Sequence, residues 1–331
     1  MALPQSLAAR LTLPVIGAPM FIVSTPPLVL AQCKAGIIGS FPALNARPES
    51  QLDEWLDQIT RELAAHAAAH PGAKVAPFAV NQIVHASNTR LEHDVSLCVK
   101  YKVPIVITSL RPPAEVVSAV HSYGGLVFHD VINMRHAQKA AQQGVDGLIA
   151  VCAGAGGHAG LLSPFALLKE IRSFFPGIII LSGAMSSGAD VLAAQAMGAD
   201  LAYLGTRFIA TREANARPEY KQLLVDSGAD DIIYTPVFSG VSGNYLRGSI
   251  ERVGLDPAKL PAADKTKMDF AGREGNEIKA WKDIWSAGHS VSGITDIPPV
   301  AELIEQIGHF GLAGEFAASC ALERRPQPEA R

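Results

Sequence analysis

Cysteine is scarce and unpaired: Cys33, Cys98, Cys152 and Cys320 are spread over 331 residues with no Cys-x-x-Cys spacing. Three of the four stand in apolar runs, so buried reduced thiols are expected, not a disulfide framework or a zinc knuckle. An excess of charge is also missing. Lys and Arg total 28 against 31 Asp and Glu, a net −3, which argues against nucleic acid or an anionic membrane as the main partner. No apolar run approaches the roughly 20 residues needed to span a bilayer. The opening MALPQSLAAR has neither the charged start nor the apolar stretch of a secretion signal, so the expected location is cytoplasmic. Walker, G-x-S-x-G and S-x-x-K motifs are absent, and no two histidines have H-E-x-x-H or H-x-H spacing. No metal site is expected.

What is present is a rhythm. Hydrophobic residues make up 48% of the chain and charged ones 18%, the balance of a packed globular protein. Apolar runs recur at Pro14, Ala35, Ala76, Val103, Gly125, Gly147, Gly177 and Leu201. They are hydrophobic throughout instead of alternating, as strands buried on both faces are. Helical patterns such as PAEVVSAVHSYG, RHAQKAAQQG, PFALLKEIRSFF and GADVLAAQAMG lie between them, several closing on glycine. Eight strand-then-helix units predict an α/β fold, a (β/α)8 TIM barrel, with a doubly wound sheet as the alternative. After LGTRF the pattern breaks: the stretch to about Met268 is polar and interrupted by Gly and Pro. We assign residues 1–210 and 285–331 to the barrel and 211–284 to an inserted smaller unit over its mouth. PPVAELIEQIGHF, near the end, is expected to complete the outer ring.

A barrel carries its chemistry at the C-terminal ends of its strands. Two glycine turns there, LSGAMSSG and LGTRF, follow the last two strands and suit a phosphate, with the following helix adding its positive end. The segment VCAGAGGHAG lets a backbone lie flat against a planar ligand while presenting His158, whose intrinsic pKa suits a general base. GAPM after the first strand either admits a flat ring or simply ends the strand. His129 and Asp130 stand at a strand end, as candidates for phosphate or substrate. Tyr234 and Tyr245 are candidate substrate contacts in the inserted unit, with surface or packing roles equally open. His85, His93 and His136 read as surface or packing residues.

PVIGAPM, GAGGHAG, LSGAMSSGADVLAAQAMGADLAYLGTRFIAT and the late IWSAGHSVSGI occur in that order. Together they resemble the nitronate monooxygenase family, formerly the 2-nitropropane dioxygenases. The resemblance implies FMN at the barrel mouth and oxidation of alkyl nitronates with O2 to carbonyl compounds and nitrite. It implies Ala18, Pro19 and Met20 along the isoalloxazine, and Asn81 and Gly157 beside it. Gly183, Gly205 and Thr206 would hold the phosphate, His158 would be the catalytic histidine, and Trp285, Ser286, Ala287 and Gly288 would return to the flavin. Two departures stand out: His289 replaces a common glutamine, and Asp130 replaces a lysine carried by some NADH-using relatives. His289 therefore joins the candidate substrate contacts. Alternatives are an NAD(P)H-dependent flavin reductase acting on quinones or enoyl thioesters, and a flavin-binding protein without turnover. The sequence leaves the oligomeric state open.

Overall fold

All eight apolar runs become parallel strands, because a run hydrophobic on both faces is stable only between two buried layers. The computed structural model describes residues 3–111, 113–261 and 281–311. The first six strands are β1 (Val15–Gly17), β2 (Gly39–Pro42), β3 (Phe78–Val84), β4 (Ile105–Leu110), β5 (Leu126–Val131) and β6 (Gly147–Val151). A two-residue strand, β7 (Gly157–His158), leaves the ring before β8 (Ile178–Ser182) and β9 (Leu201–Leu204) rejoin it. The eight-stranded order is β1-β9-β8-β6-β5-β4-β3-β2. Between β1 and β2 the ring closes through Gly17 N donating to Ile38 O (2.8 Å) and Ile38 N donating to Val15 O (3.1 Å). This closure excludes the doubly wound alternative, whose sheet has two open edges.

Strand alternation divides the side chains between two cores. Ile16, Ile107, Phe128, Ile149, Ile180 and Leu201 fill the barrel, and Leu7 and Leu11 join them from the N-terminal segment. Val106, Val127, Val131 and Leu148 face the helices instead. The same parity separates two neighbouring candidates. Asp130 falls in step with Phe128 and turns inward, whereas His129 falls in step with Val127 and Val131. His129 is therefore buried under the helix layer, 2.8 Å from Thr108 Oγ1, and does not face the barrel mouth. The helix Val300–Gly311 packs against Gly188–Ala196 and Pro26–Lys34, completing the outer ring as its sequence suggests.

After β9 the chain runs through the helices Thr206–Ile209 and Pro218–Asp226 into β10 (Ile232–Thr235) and β11 (Gly243–Leu246). These strands pair antiparallel, and β11 takes β7 as its other neighbour, with Gly243 opposite His158 and Asn244 opposite Gly157. The stretch after LGTRF thus builds a three-stranded sheet that reaches back to the barrel's sixth connection. The boundary near Met268, Cys320 and the charged tail lie outside the described residues. Cys33, Cys98 and Cys152 are buried, and burial pushes each thiol up to about 12, far from reactive thiolates. Among the described residues no helix is long and apolar enough to cross a membrane.

Where the strands begin, two carboxylates stitch neighbouring strands together. Asp146 Oδ2 accepts from Val127 N at 2.7 Å, and Asp200 Oδ2 accepts from Ile179 N at 2.9 Å and from Arg172 Nη2 at 2.7 Å. Removing either carboxylate strands a buried backbone N–H, a loss of about 1–3 kcal/mol. Asp146→Ala and Asp200→Ala are each expected to lower the urea midpoint accordingly while leaving ligand binding at the opposite end intact. An unchanged midpoint would show that these contacts contribute nothing.

Candidate active site

The C-terminal ends of β1, β6, β8 and β9 meet through backbone. Ala18 N donates to Leu204 O at 2.8 Å, and a Cβ on Gly205 would lie 3.5 Å from Ala18 Cβ and 3.8 Å from Met20 Sδ. The GAPM loop thus lies against the LGT turn. Gly154 O accepts from His289 N at 2.9 Å and from Ala184 N at 3.3 Å, tying the β6 connection to the β8 turn. Gly183 (φ +144°) and Ala184 (φ +53°) both occupy backbone regions unusual for side-chain-bearing residues. A Cβ on Gly183 would stand 2.8 Å from Ala153 O, so only glycine lets this turn close on its neighbour. The helix Gly188–Ala196 is capped by its own acid: Asp190 Oδ2 accepts from Ser186 N and Ser187 N, both at 2.9 Å. The carboxylate adds negative charge at this helix start, and the Gly183–Ala184 and Gly205–Thr206 turns form a glycine cradle at the ends of β8 and β9.

The late segment packs against the glycine loop. Gly288 N donates to Thr206 Oγ1 (2.9 Å), and a Cβ there would meet Gly154 O at 2.3 Å. Ser286 Oγ accepts from Gly157 N at 2.6 Å and donates to Asn244 O at 2.8 Å. Trp285 is buried, stacked on Tyr220 at 4.8 Å and covered by the Arg252 guanidinium at 4.0 Å; Ala287 is buried with it. The polar groups of Trp285–Gly288 described here bond within the protein, so the segment braces the glycine loop. Gly157 is likewise committed through its N–H, and its φ of +72° is what demands glycine there.

Above this brace β7 presents His158. Its Nε2 lies 2.8 Å from Ser239 Oγ, and its ring meets Trp281 edge-on at 5.3 Å. Burial drives its pKa down to about 4, so the imidazole is neutral near pH 7. Sheet register also separates the two tyrosines: Tyr234 pairs with Asn244 and Tyr245 with Ile233, which puts them on opposite faces. Tyr245 is fully buried with its hydroxyl 3.2 Å from Ser239 Oγ, so it cannot touch a substrate directly. Tyr234 donates to Ala159 O at 3.0 Å. His289 packs its ring on the Gly154 backbone, Nδ1 standing 3.2 Å from where a Cβ would be.

Across the barrel from the cradle, Asn81, Ser109 and Asp130 point inward. Asn81 Nδ2 is 3.3 Å from Ser109 Oγ. Asp130 Oδ1 is buried without a hydrogen-bond partner, and desolvation raises this carboxyl to about 7. Its charge in turn helps push up the nearby Tyr203 phenol from β9. An orphaned acid inside the barrel, facing a glycine cradle, is a place for ligand atoms to complete. Ser239, Trp281 and Tyr203 escaped the sequence reading; SGVSGNY had marked the neighbourhood without assigning a role. Pro19 lies between Ala18 and Met20 in the same loop. Two open surface depressions of about 760 and 640 Å3 lie elsewhere, around Arg212–Gln222 and around Arg10, Leu63 and Lys102. Neither contains a strand C-terminal end, which is where barrel chemistry resides. Glu49, His93 and Asp94 cluster within 4.8 Å, but Arg90 stands 3.1 Å from Asp94 and marks an ion-pair network.

Comparison with known proteins agrees with this geometry. The family model for nitronate monooxygenase matches residues 5–309. A nitronate monooxygenase from Paraburkholderia phytofirmans is 27% identical over 342 aligned positions, covering 89% of this chain and 91% of that one. Among solved structures, FabK from Thermotoga maritima superposes with a TM-score of 0.73 at 23% identity, covering 94% of this chain and 96% of that chain. Nitroalkane oxidase from Streptomyces ansochromogenes superposes at 0.72 and 21% identity, over 95% of this chain and all (100%) of its own. At such identities the two structures speak for the barrel fold alone. The family match runs from the first helix to the last described one, through the GAPM loop, the glycine brace and His158: this chain is an oxidoreductase of the nitronate monooxygenase family.

Proposed function

We propose that the protein binds FMN across the barrel mouth and oxidises alkyl nitronates with O2, releasing a carbonyl compound and nitrite. The carrying observation is the placement of a neutral His158 over a mouth bounded on one side by the glycine cradle and on the other by the unpartnered acid of Asp130. The family match and the similarity to a nitronate monooxygenase support the same reading. The residues suit the cofactor: the backbone at Gly183, whose φ of +144° favours glycine, and at Gly205–Thr206 would hold the phosphate, and Ala18, Pro19 and Met20 would face the ring. Asn81 would lie along that ring. When bound, FMN would supply the electron transfer that no side chain here can perform.

The chain's own contribution is proton handling and positioning. A neutral imidazole accepts the proton α to a nitro group; an anion bound beside it favours the imidazolium, so His158 also steadies a nitronate. Asp130 controls how welcome that anion is. Below pH of about 7 it is largely uncharged, and above that it ionises and repels a negative substrate. The three-stranded sheet formed by β7, β10 and β11 acts as a lid that keeps water away from His158. We take residues 211–284 as the inserted unit that supplies it.

Four measurements follow. His158→Ala is expected to cut nitroalkane turnover by about a hundredfold or more, while nitronates, already deprotonated, lose much less; equal losses would remove the base role. Stopped-flow mixing with NADH without oxygen separates this reading from a flavin reductase, which would bleach rapidly. KM for a nitronate should climb as pH rises through about 7, and Asp130→Asn should flatten that climb; coincident profiles would acquit Asp130. Gly183→Ala, forced against Ala153 O, should weaken FMN binding by about tenfold or more, measured by quenching of flavin fluorescence. Unaltered affinity would place the phosphate elsewhere.

A further inference from the structure

Ser239 makes three polar contacts through one oxygen. Its Oγ is 3.0 Å from Val241 O, 3.2 Å from Tyr245 OH and 2.8 Å from His158 Nε2. A hydroxyl has one proton to donate and two lone pairs to receive with. Val241 O, a carbonyl, can only accept, so the serine proton goes there. Both lone pairs are then left for donors: Tyr245 OH supplies one and His158 Nε2 must supply the other. A contact to Nε2 at 2.8 Å is consistent with all three bonds only when that nitrogen carries its hydrogen.

We propose that Ser239 is a positioning residue for His158, accepting from Nε2 and so holding the neutral ring's hydrogen on that nitrogen. The inference rests on the reading of His158 as the proton-handling group for its catalytic meaning, though not for its geometry. The arrangement is stiff. Tyr245 is fully buried, wedged against Phe238 at 5.1 Å and Trp281 at 5.4 Å, so its hydroxyl has one direction to point. Trp281 also meets the imidazole edge-on at 5.3 Å, fixing the ring about its remaining axis. Aromatic packing and the Ser239 hydroxyl thus act on the ring from different sides. Because the serine's own proton is pinned by a carbonyl two residues on, the choice is made by the β10–β11 connection, not by the barrel.

The test is direct. In the full-length protein labelled with 15N-histidine, long-range 15N–1H correlation reports which ring nitrogen carries hydrogen; the His158 signal is identified by its loss in His158→Asn. The native protein should show hydrogen on Nε2. Ser239→Ala should yield a mixed tautomer and cut nitroalkane kcat by roughly tenfold, with a smaller loss on nitronates, and Ser239→Thr should restore both. Tyr245→Phe should keep the Nε2–H form, because Val241 O still holds the serine proton. Hydrogen on Nδ1 in the native protein, or a tautomer indifferent to Ser239→Ala or altered by Tyr245→Phe, would overturn the assignment. The native measurement stands even if Ser239→Ala does not fold. If the tautomer follows Ser239 but His158→Ala leaves turnover intact, the positioning role holds and the base role fails.

Discussion

The closeness of two backbones holds this site together. Gly154 and Gly156 lie so near Gly288 that a single methyl on either side would overlap main-chain atoms: 2.3 Å from Gly154 O for one on Gly288, 2.9 Å from Gly288 N for one on Gly156. Contact at that distance needs segments without side chains, which is why the VCAGAGGHAG stretch is so bare. Once the late segment is seated there, Gly288 N reaches Thr206, Ser286 reaches Gly157, and Asn244 Nδ2 reaches Ala155 O at 2.6 Å. Each bond satisfies a buried backbone group, and together they fix where β7 starts. The histidine at the end of that bare stretch is aimed because everything before it is clamped.

Electrostatics at the mouth follow from the same packing. His158 and Asp130 are both driven toward their uncharged forms, to about 4 and about 7, because little water reaches them. A barrel end holding a neutral base on one side and a weak acid on the other can accept a ligand whose charge changes during reaction, since neither residue imposes a fixed field of its own. Elsewhere three carboxylates serve structure: Asp146 and Asp200 at the opposite rim, and Asp190 at a helix cap. Asp130, by contrast, keeps a buried oxygen without a hydrogen-bond partner on the inward side of β5.

Much of the scaffold was legible because burial on both faces leaves an unmistakable mark. Uninterrupted runs such as GIIILSGA and GLIAVCA have no other use in a protein of this composition. Glycine turns and GGH were legible for a related reason, since a conformation or an approach that excludes Cβ narrows the choice to one residue. Side-chain direction was harder to read. His129 and Asp130 adjoin in sequence and part by strand alternation, one to Thr108 under the helices and one into the barrel. Tyr234 and Tyr245 part across the small sheet for the same reason. Trp285, in a motif expected at the flavin, is covered by Tyr220 and Arg252, partners 65 and 33 positions away that no local pattern discloses.

Local chemistry in the chain therefore dictated the strands, their parallel order, the glycine turns and the presence of one titratable ring among them, because these depend on hydropathy and backbone freedom within a few residues. Closure of the ring, the pairing of β7 with β11 and the meeting of Ser239 with His158 depend on contacts between residues far apart in sequence, 187 positions for Val15 and Ala202, 87 for Gly157 and Asn244 and 81 for His158 and Ser239. Long-range packing alone settles those, and with them the direction in which the histidine points and the nitrogen on which its hydrogen rests.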